Sequence, residues 1–351
     1  MSGTGDTKPT IDSLLSTRRK AIRMSGQEVV KTSRLLSEHA IPLLIEPGLE
    51  GADLVAWASS NRELVETLLW KNKALLFRNF AIRSVSQFKE FVLATSDGNL
   101  LEYRDRSSPR YEVADGVYIS TIYPNDQEIH LHNEGTYWTT WPLKIYFCCL
   151  QVPDQGGETP IADVSNVYKS IDPKIRQQFI EKQVMYVRNY NDGFALPWQE
   201  VFQTTSKSEV ESICRERQIE IQWKDNDRLR TRQIRQAVRL HPKTGEPVWF
   251  NHAAFFHLAA REQEVQEALS SMFSEGDLPF MTAYGDGSPI EQSVAESIQQ
   301  AYRNEKVIFG WQQGDILLLD NMSVAHGRQP FVGERQVIVA MAEPCDDGVN
   351  S

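Results

Sequence analysis

The sequence predicts a mainly β fold with helices: a double-stranded β-helix (jelly roll, cupin-like) core with helical decorations and an insertion. Three observations predict it. Short apolar runs recur along the chain, each bounded by Pro, Gly or polar turns. Between them lie stretches whose apolar residues repeat at helical spacing. No internal repeat and no low-complexity segment interrupts the pattern.

Taken in order, residues 1–35 read as a polar lead followed by a helix around Val29, Val30 and Leu35. Pro42 to Pro47 is a short strand between prolines, and Asp53 to Leu69 has helical spacing at Leu54, Trp57, Leu64 and Leu68. Lys73 to Phe80 is a buried strand and Val85 to Ala94 a second helix. Strands follow at Val117 to Tyr123, Ile129 to Glu134 and Leu143 to Leu150, and after the Gly156-Gly157 turn at Thr159 to Ala162. The pattern turns helical from Val164 to Ile180 and extended from Gln183 to Tyr190. Asn191 to Asp227 is of mixed character, its aromatics Phe194, Trp198 and Phe202 read as packing rather than as a lid. Gln233 to Leu240 and Pro247 to Asn251 form a strand pair around His241 to Gly245, and Ala260 to Phe273 a helix with Val265, Leu269, Met272 and Phe273 on one face. Val307 to Trp311, Asp315 to Leu319 and Arg335 to Ala342 close the sheet.

With 351 residues, 41% apolar and 24% charged, the composition is that of an ordinary globular chain. It divides into a lead (1–35), one domain (36–345) with an insertion around 164–305, and a polar tail (346–351). No apolar run approaches the roughly 20 residues that span a bilayer, so no membrane insertion is expected. The first residues lack the apolar core of a secretory signal, and Arg18, Arg19, Lys20 and Arg23 read as a solvated helix face. Four cysteines, with Cys148 and Cys149 adjacent in an apolar run, form neither a disulfide framework nor a zinc pair; a reducing cytoplasm is the expected location. A formal charge of −10 argues against bulk nucleic-acid binding.

The chemistry gathers at His130-Leu131-His132-Asn133-Glu134. Residues two apart on a strand face the same way, so His132 and Glu134 can grip one metal ion. The best third donor is His326, downstream of the apolar run Ile316 to Leu319. Two histidines and a carboxylate make the facial triad of non-haem Fe(II), with three positions left open. His130 competes for the role because it shares the strand face of His132.

These residues, with Val117 to Thr121, Gly157 to Asp163, Val248 to Asn251 and Arg335 in that family's order, make the chain resemble the Fe(II)/2-oxoglutarate dioxygenases of the taurine dioxygenase (TauD/TfdA) family. The closer resemblance is to the clavaminate-synthase-like and syringomycin-pathway hydroxylases, and it runs from about Ala74 to Pro344. It implies a jelly roll, Fe(II) on His132, Glu134 and His326, and 2-oxoglutarate and O2 as cosubstrates. Arg335 would clamp the far carboxylate with two parallel charge-assisted hydrogen bonds, and Thr159 would add a hydroxyl. Arg328 is the alternative clamp. The implied reaction hydroxylates an unactivated C–H while 2-oxoglutarate becomes succinate and CO2. The alternatives are desaturation or cyclisation on the same scaffold, or a non-catalytic iron or 2-oxoglutarate binding protein. The implied substrate is an amino acid or a derivative in specialised metabolism, free or tethered to a peptide-synthetase carrier protein. Its carboxylate could be met by Arg104, Arg106, Arg110, Arg232 or Arg235, while Asn251 and His252 face the pocket. The basic run Arg228 to Arg235 reads as a solvated edge strand, with a carrier-docking face as the alternative. Glu134 stands where iron halogenases of this scaffold carry a small residue, which implies hydroxylation over halogenation. Gly135, where relatives carry a bulkier residue, implies a wider pocket.

Overall fold

The computed structural model describes residues 29–102, 111–120, 123–190 and 196–346. Its frame is an eight-stranded sheet ordered Val30–Arg34, Leu43–Pro47, Ala74–Phe77, Ile316–Asp320, Thr140–Gln151, Gln336–Asp346, Val117–Ile119, Glu112–Ala114. Neighbours are antiparallel except Leu43–Pro47 with Ala74–Phe77. The central strands read as unbroken apolar runs because both faces are covered. Ile145, Phe147, Leu317, Leu319, Val337 and Val339 point into the large core shared with the smaller sheets. Their neighbours Tyr146, Cys148, Ile316, Leu318, Ile338 and Ala340 point the other way, onto the helices Leu54–Ser60, Arg62–Asn72 and Val85–Thr95 through Trp57, Leu69, Phe88 and Phe91.

Facing the large core is a three-stranded sheet, Ile129–His132, Val324–Arg328, Ile161–Asp163, and a four-stranded one, Glu220–Trp223, Leu229–Arg235, Val184–Tyr190, Phe280–Tyr284. This is the double-stranded β-helix arrangement. Among the described residues, no helix is long and apolar enough to cross a membrane.

Several expectations give way. Val30–Arg34 is a strand laid antiparallel on Leu43–Pro47, since β-branched Val30 and Thr32 favour an extended edge over a helix. The helix expected from Asp53 to Leu69 breaks at Asn61, where the side chains of Ser59, Ser60 and Asn61 each capture the carbonyl four residues back. Val307 to Trp311 forms no strand, only an isolated bridge from Val307 to Ile161. In the helix Gln263–Met272, Leu269 is buried while Val265 and Met272 are exposed. Trp198 and Phe202 pack with Tyr190, Val210 and Leu229 in a small core of their own, and Phe194 lies outside the described residues. Leu229–Arg235 is an interior strand, not an edge. Arg230 there bonds Asn189, Gly276 and Asp277, so the run offers fewer free charges for docking than its sequence promised.

Candidate functional site

Strand register places the two histidines. His326 lies directly opposite His132 across the pairing of Val324–Arg328 with Ile129–His132, and directly opposed side chains project from the same face. Their ring centroids are 4.6 Å apart. The strand ends at His132, so Glu134 is brought in by the chain beyond it rather than by the strand alternation expected from the sequence. One donor atom from each of His132, Glu134 and His326 lies within 4.8 Å of the other two. Glu134 and His326 are buried and His132 half-buried.

The second nitrogen of His132 is already committed. Its Nδ1–H donates to the His130 carbonyl at 2.8 Å, which fixes the tautomer that carries its lone pair on Nε2. Phe255 packs on the His132 ring at 5.0 Å and Phe147 on the His326 ring at 5.0 Å, walling the donors from water. His130 stays outside the cluster, its Nε2 on the Ala260 carbonyl at 3.0 Å and its side chain 44% exposed. Two imidazoles and a carboxylate, with no thiolate, are a donor set that suits Fe(II) in a half-open shell.

Gly135, next to Glu134, has φ +72, and a Cβ there would come within 2.6 Å of the Trp138 ring. The glycine therefore answers a backbone requirement and does not widen the pocket. Gly135→Ala is expected to cost about 1–3 kcal/mol, as strained left-handed positions do, measured by urea unfolding; a loss below 0.5 kcal/mol would contradict it.

From the histidines a small cavity runs to Arg335, lined also by Ser120, Ile129, Phe147, Thr159, Arg328 and Val339. Arg335 donates from Nε to the Gly157 carbonyl at 2.8 Å, from Nη1 to Ser120 Oγ at 3.1 Å and from Nη2 to Thr159 Oγ1 at 3.4 Å. Trp311 Nε1 holds the same threonine oxygen at 3.2 Å. Burial, then the nearby Arg328, pushes the Arg335 guanidinium down to about 10, which leaves it charged at neutral pH. Arg328 is spent on the carbonyls of Tyr123, Pro124 and Gln127. Neither guanidinium is ion-paired with a described carboxylate, so the cavity holds buried positive charge that an anionic ligand would neutralise.

A second cavity, about 180 Å³, lies beyond Phe255, walled by Leu131, Trp249, Asn251, Phe255 and Tyr302, with Glu128, Arg303 and Lys306 also lining it. Asn251 lines it, with its carboxamide occupied by the Ala237 carbonyl and the Ala253 N–H. His252 is buried, its Nε2–H donating to the Asn133 carbonyl at 2.8 Å, and burial followed by the His132 ring pushes it down to about 3. The expectation that Arg235 meets substrate gives way to packing: its guanidinium is engaged by the carbonyls of Tyr137, Ile234 and Arg217 and by Gln233, and it lines neither cavity. Arg104, Arg106 and Arg110 lie outside the described residues. Sequence reading missed Ser120, Phe255, Trp311 and the pair Asn133 and Asn321, although a polar Asp320-Asn321 step straight after four apolar residues was a signal that buried partners awaited it.

A family model described as "Taurine catabolism dioxygenase TauD, TfdA family" matches residues 37–341. The dapdiamide synthesis protein DdaC of Enterobacter agglomerans is 41% identical over 280 residues, 80% of this chain and 85% of its own. A clavaminate synthase-like protein of Arabidopsis thaliana is 27% identical over 296 residues, 81% and 86% of the two chains. Among solved structures, PvcB of Pseudomonas aeruginosa aligns with a TM-score of 0.52 at 17% identity, covering 92% of this chain and 94% of its own. A putative α-ketoglutarate-dependent taurine dioxygenase of Burkholderia xenovorans aligns at 0.54 and 17%, covering 91% and 95%. The chain belongs to the TauD, TfdA family and is an Fe(II)/2-oxoglutarate-dependent dioxygenase.

Proposed function

We propose that His132, Glu134 and His326 hold the iron, that Arg335 with Thr159 receives the far carboxylate of 2-oxoglutarate, and that the enzyme hydroxylates an unactivated C–H of an amino acid or amino-acid-derived substrate. The observation that carries this reading is the sharing of one cavity by the histidines of the candidate metal cluster and a half-buried guanidinium that is ion-paired with no described carboxylate. Iron, when bound with 2-oxoglutarate and O2, supplies the oxidant, the cosubstrate leaving as succinate and CO2. The protein's share is position and dryness. The His130 carbonyl fixes the His132 tautomer, the Arg335 fork orients a planar carboxylate, and Phe147, Ile129 and Val339 exclude water around it.

The larger cavity is the substrate chamber in this reading, because Phe255 packs on His132 on one side and lines that chamber on the other. Its aromatic walls suit an apolar body, and the charges of Glu128, Arg303 and Lys306 suit an ammonium and a carboxylate. The likeness to a dapdiamide synthesis protein supports a place in specialised metabolism, with the substrate free or carrier-tethered.

Turnover under 18O2 with Fe(II), 2-oxoglutarate, excess chloride and a panel of free and carrier-tethered amino acids tests the outcome. The expected product gains one labelled oxygen and no halogen, because Glu134 fills the position that a halide would need. A chlorinated main product would sink the reading, and loss of two hydrogens without label would replace hydroxylation by desaturation.

A further inference from the structure

We infer that Asn321 is the residue that positions Glu134 for the metal, binding the carboxylate ligand to the segment that carries His326; the inference rests on the ligand assignment above. The strand that aligns His132 ends there, so no strand partner fixes the backbone of Glu134. Asn321 provides that partner from a side chain. Its Oδ1 accepts from the Glu134 N–H at 2.8 Å, and its Nδ2 donates to the Glu134 carbonyl at 2.9 Å and to the Pro142 carbonyl at 2.8 Å. A carboxamide has an acceptor and a two-hydrogen donor, so it can answer both backbone groups of one residue as a neighbouring strand would.

The main chain of Asn321 is equally committed. Its N–H donates to the Leu143 carbonyl at 2.9 Å, and its carbonyl accepts from Asn133 Nδ2 at 2.6 Å. Asn321 and Asn133 are both 0% exposed, where an unanswered polar group is costly. Five residues after Asn321 comes His326, in the strand that places it opposite His132. The peptide on each side of the Glu134 Cα is thus gripped by the same short segment that presents the second histidine. A shift of that backbone would carry the carboxylate off the cluster while leaving both imidazoles in register.

The chemistry requires this side chain. Asp in its place keeps the acceptor for the Glu134 N–H but sets a carboxylate oxygen against two carbonyls. Ala leaves three backbone groups unanswered.

Asn321→Asp, Asn321→Ala and the milder Asn133→Ala are compared with wild type by anaerobic calorimetric titration with Mn(II), and by hydrogen–deuterium exchange of the metal-free protein over residues 133–138. Leu318→Ala is the control, a buried change on the helix-facing side of the same segment that lowers Tm without touching the cluster. Mn(II) affinity is expected to fall roughly tenfold to hundredfold in both Asn321 variants, the loss typical of residues that orient metal ligands, and less in Asn133→Ala. The 133–138 peptide should exchange faster in the same order, while Leu318→Ala binds Mn(II) as wild type. Asn321 variants that bind Mn(II) within about threefold of wild type, or lose no more affinity than Leu318→Ala, would overturn the inference. Glu134→Ala separates the two readings: it should lose Mn(II), and if it binds as wild type the ligand assignment itself falls and takes this inference with it.

Discussion

His326→Ala is expected to reduce anaerobically bound Fe(II) from one per chain to none detectable, while His130→Ala keeps the full complement. Three protein donors in a half-open shell have no redundancy, because the remaining positions are left for small molecules. The truncation also hollows a buried site beside Phe147, so Tm should drop, by the equivalent of about 2–5 kcal/mol as for other large-to-small core changes. His326→Gln keeps more of the volume and should lose the metal with less effect on folding. Metal analysis after gel filtration checks both variants. Full iron in His326→Ala with loss in His130→Ala would move the centre to the neighbouring histidine.

The second large effect is expected in Arg335→Lys, which should keep iron and lose 2-oxoglutarate affinity by roughly tenfold to hundredfold, since a charged hydrogen bond contributes about 1.5–3 kcal/mol. The guanidinium reaches Gly157, Ser120 and Thr159 at once through three nitrogens in one plane, with Phe331 against it. A lysine ammonium is a point charge on a flexible stem and cannot reproduce that fork. Calorimetric titration of 2-oxoglutarate into Mn(II)-loaded protein reads the change. Unchanged affinity would pass the role to Arg328, whose donors are now engaged by the carbonyls of Tyr123, Pro124 and Gln127.

The candidate metal donors stood out in the sequence because His132 and Glu134 are neighbours in the chain, and His326 follows one of its most apolar runs. The central strands were legible for a related reason: a strand covered on both faces is apolar at every position. The strand that carries His326 was not, since Val-Ala-His-Gly-Arg has little β propensity of its own. It forms because it is paired on both sides, with Ile129–His132 and Ile161–Asp163. The helix Gln292–Asn304 escaped notice because its buried face is Ala295, Ile298, Ala301 and Tyr302, where alanine marks helical spacing weakly. Partners distant in sequence were the hardest to read. The polar step at Asn321 marks a buried partner but not which one, since it lies 187 positions away, and the charge of Arg235 is absorbed by carbonyls of three separate segments.

The most direct measurement of the central claim is anomalous diffraction at the iron edge from crystals grown anaerobically with Fe(II) and 2-oxoglutarate. One iron peak is expected between His132, Glu134 and His326, with 2-oxoglutarate extending from it to the Arg335 guanidinium. An iron peak at His130, or a 2-oxoglutarate that leaves Arg335 untouched, would contradict the account.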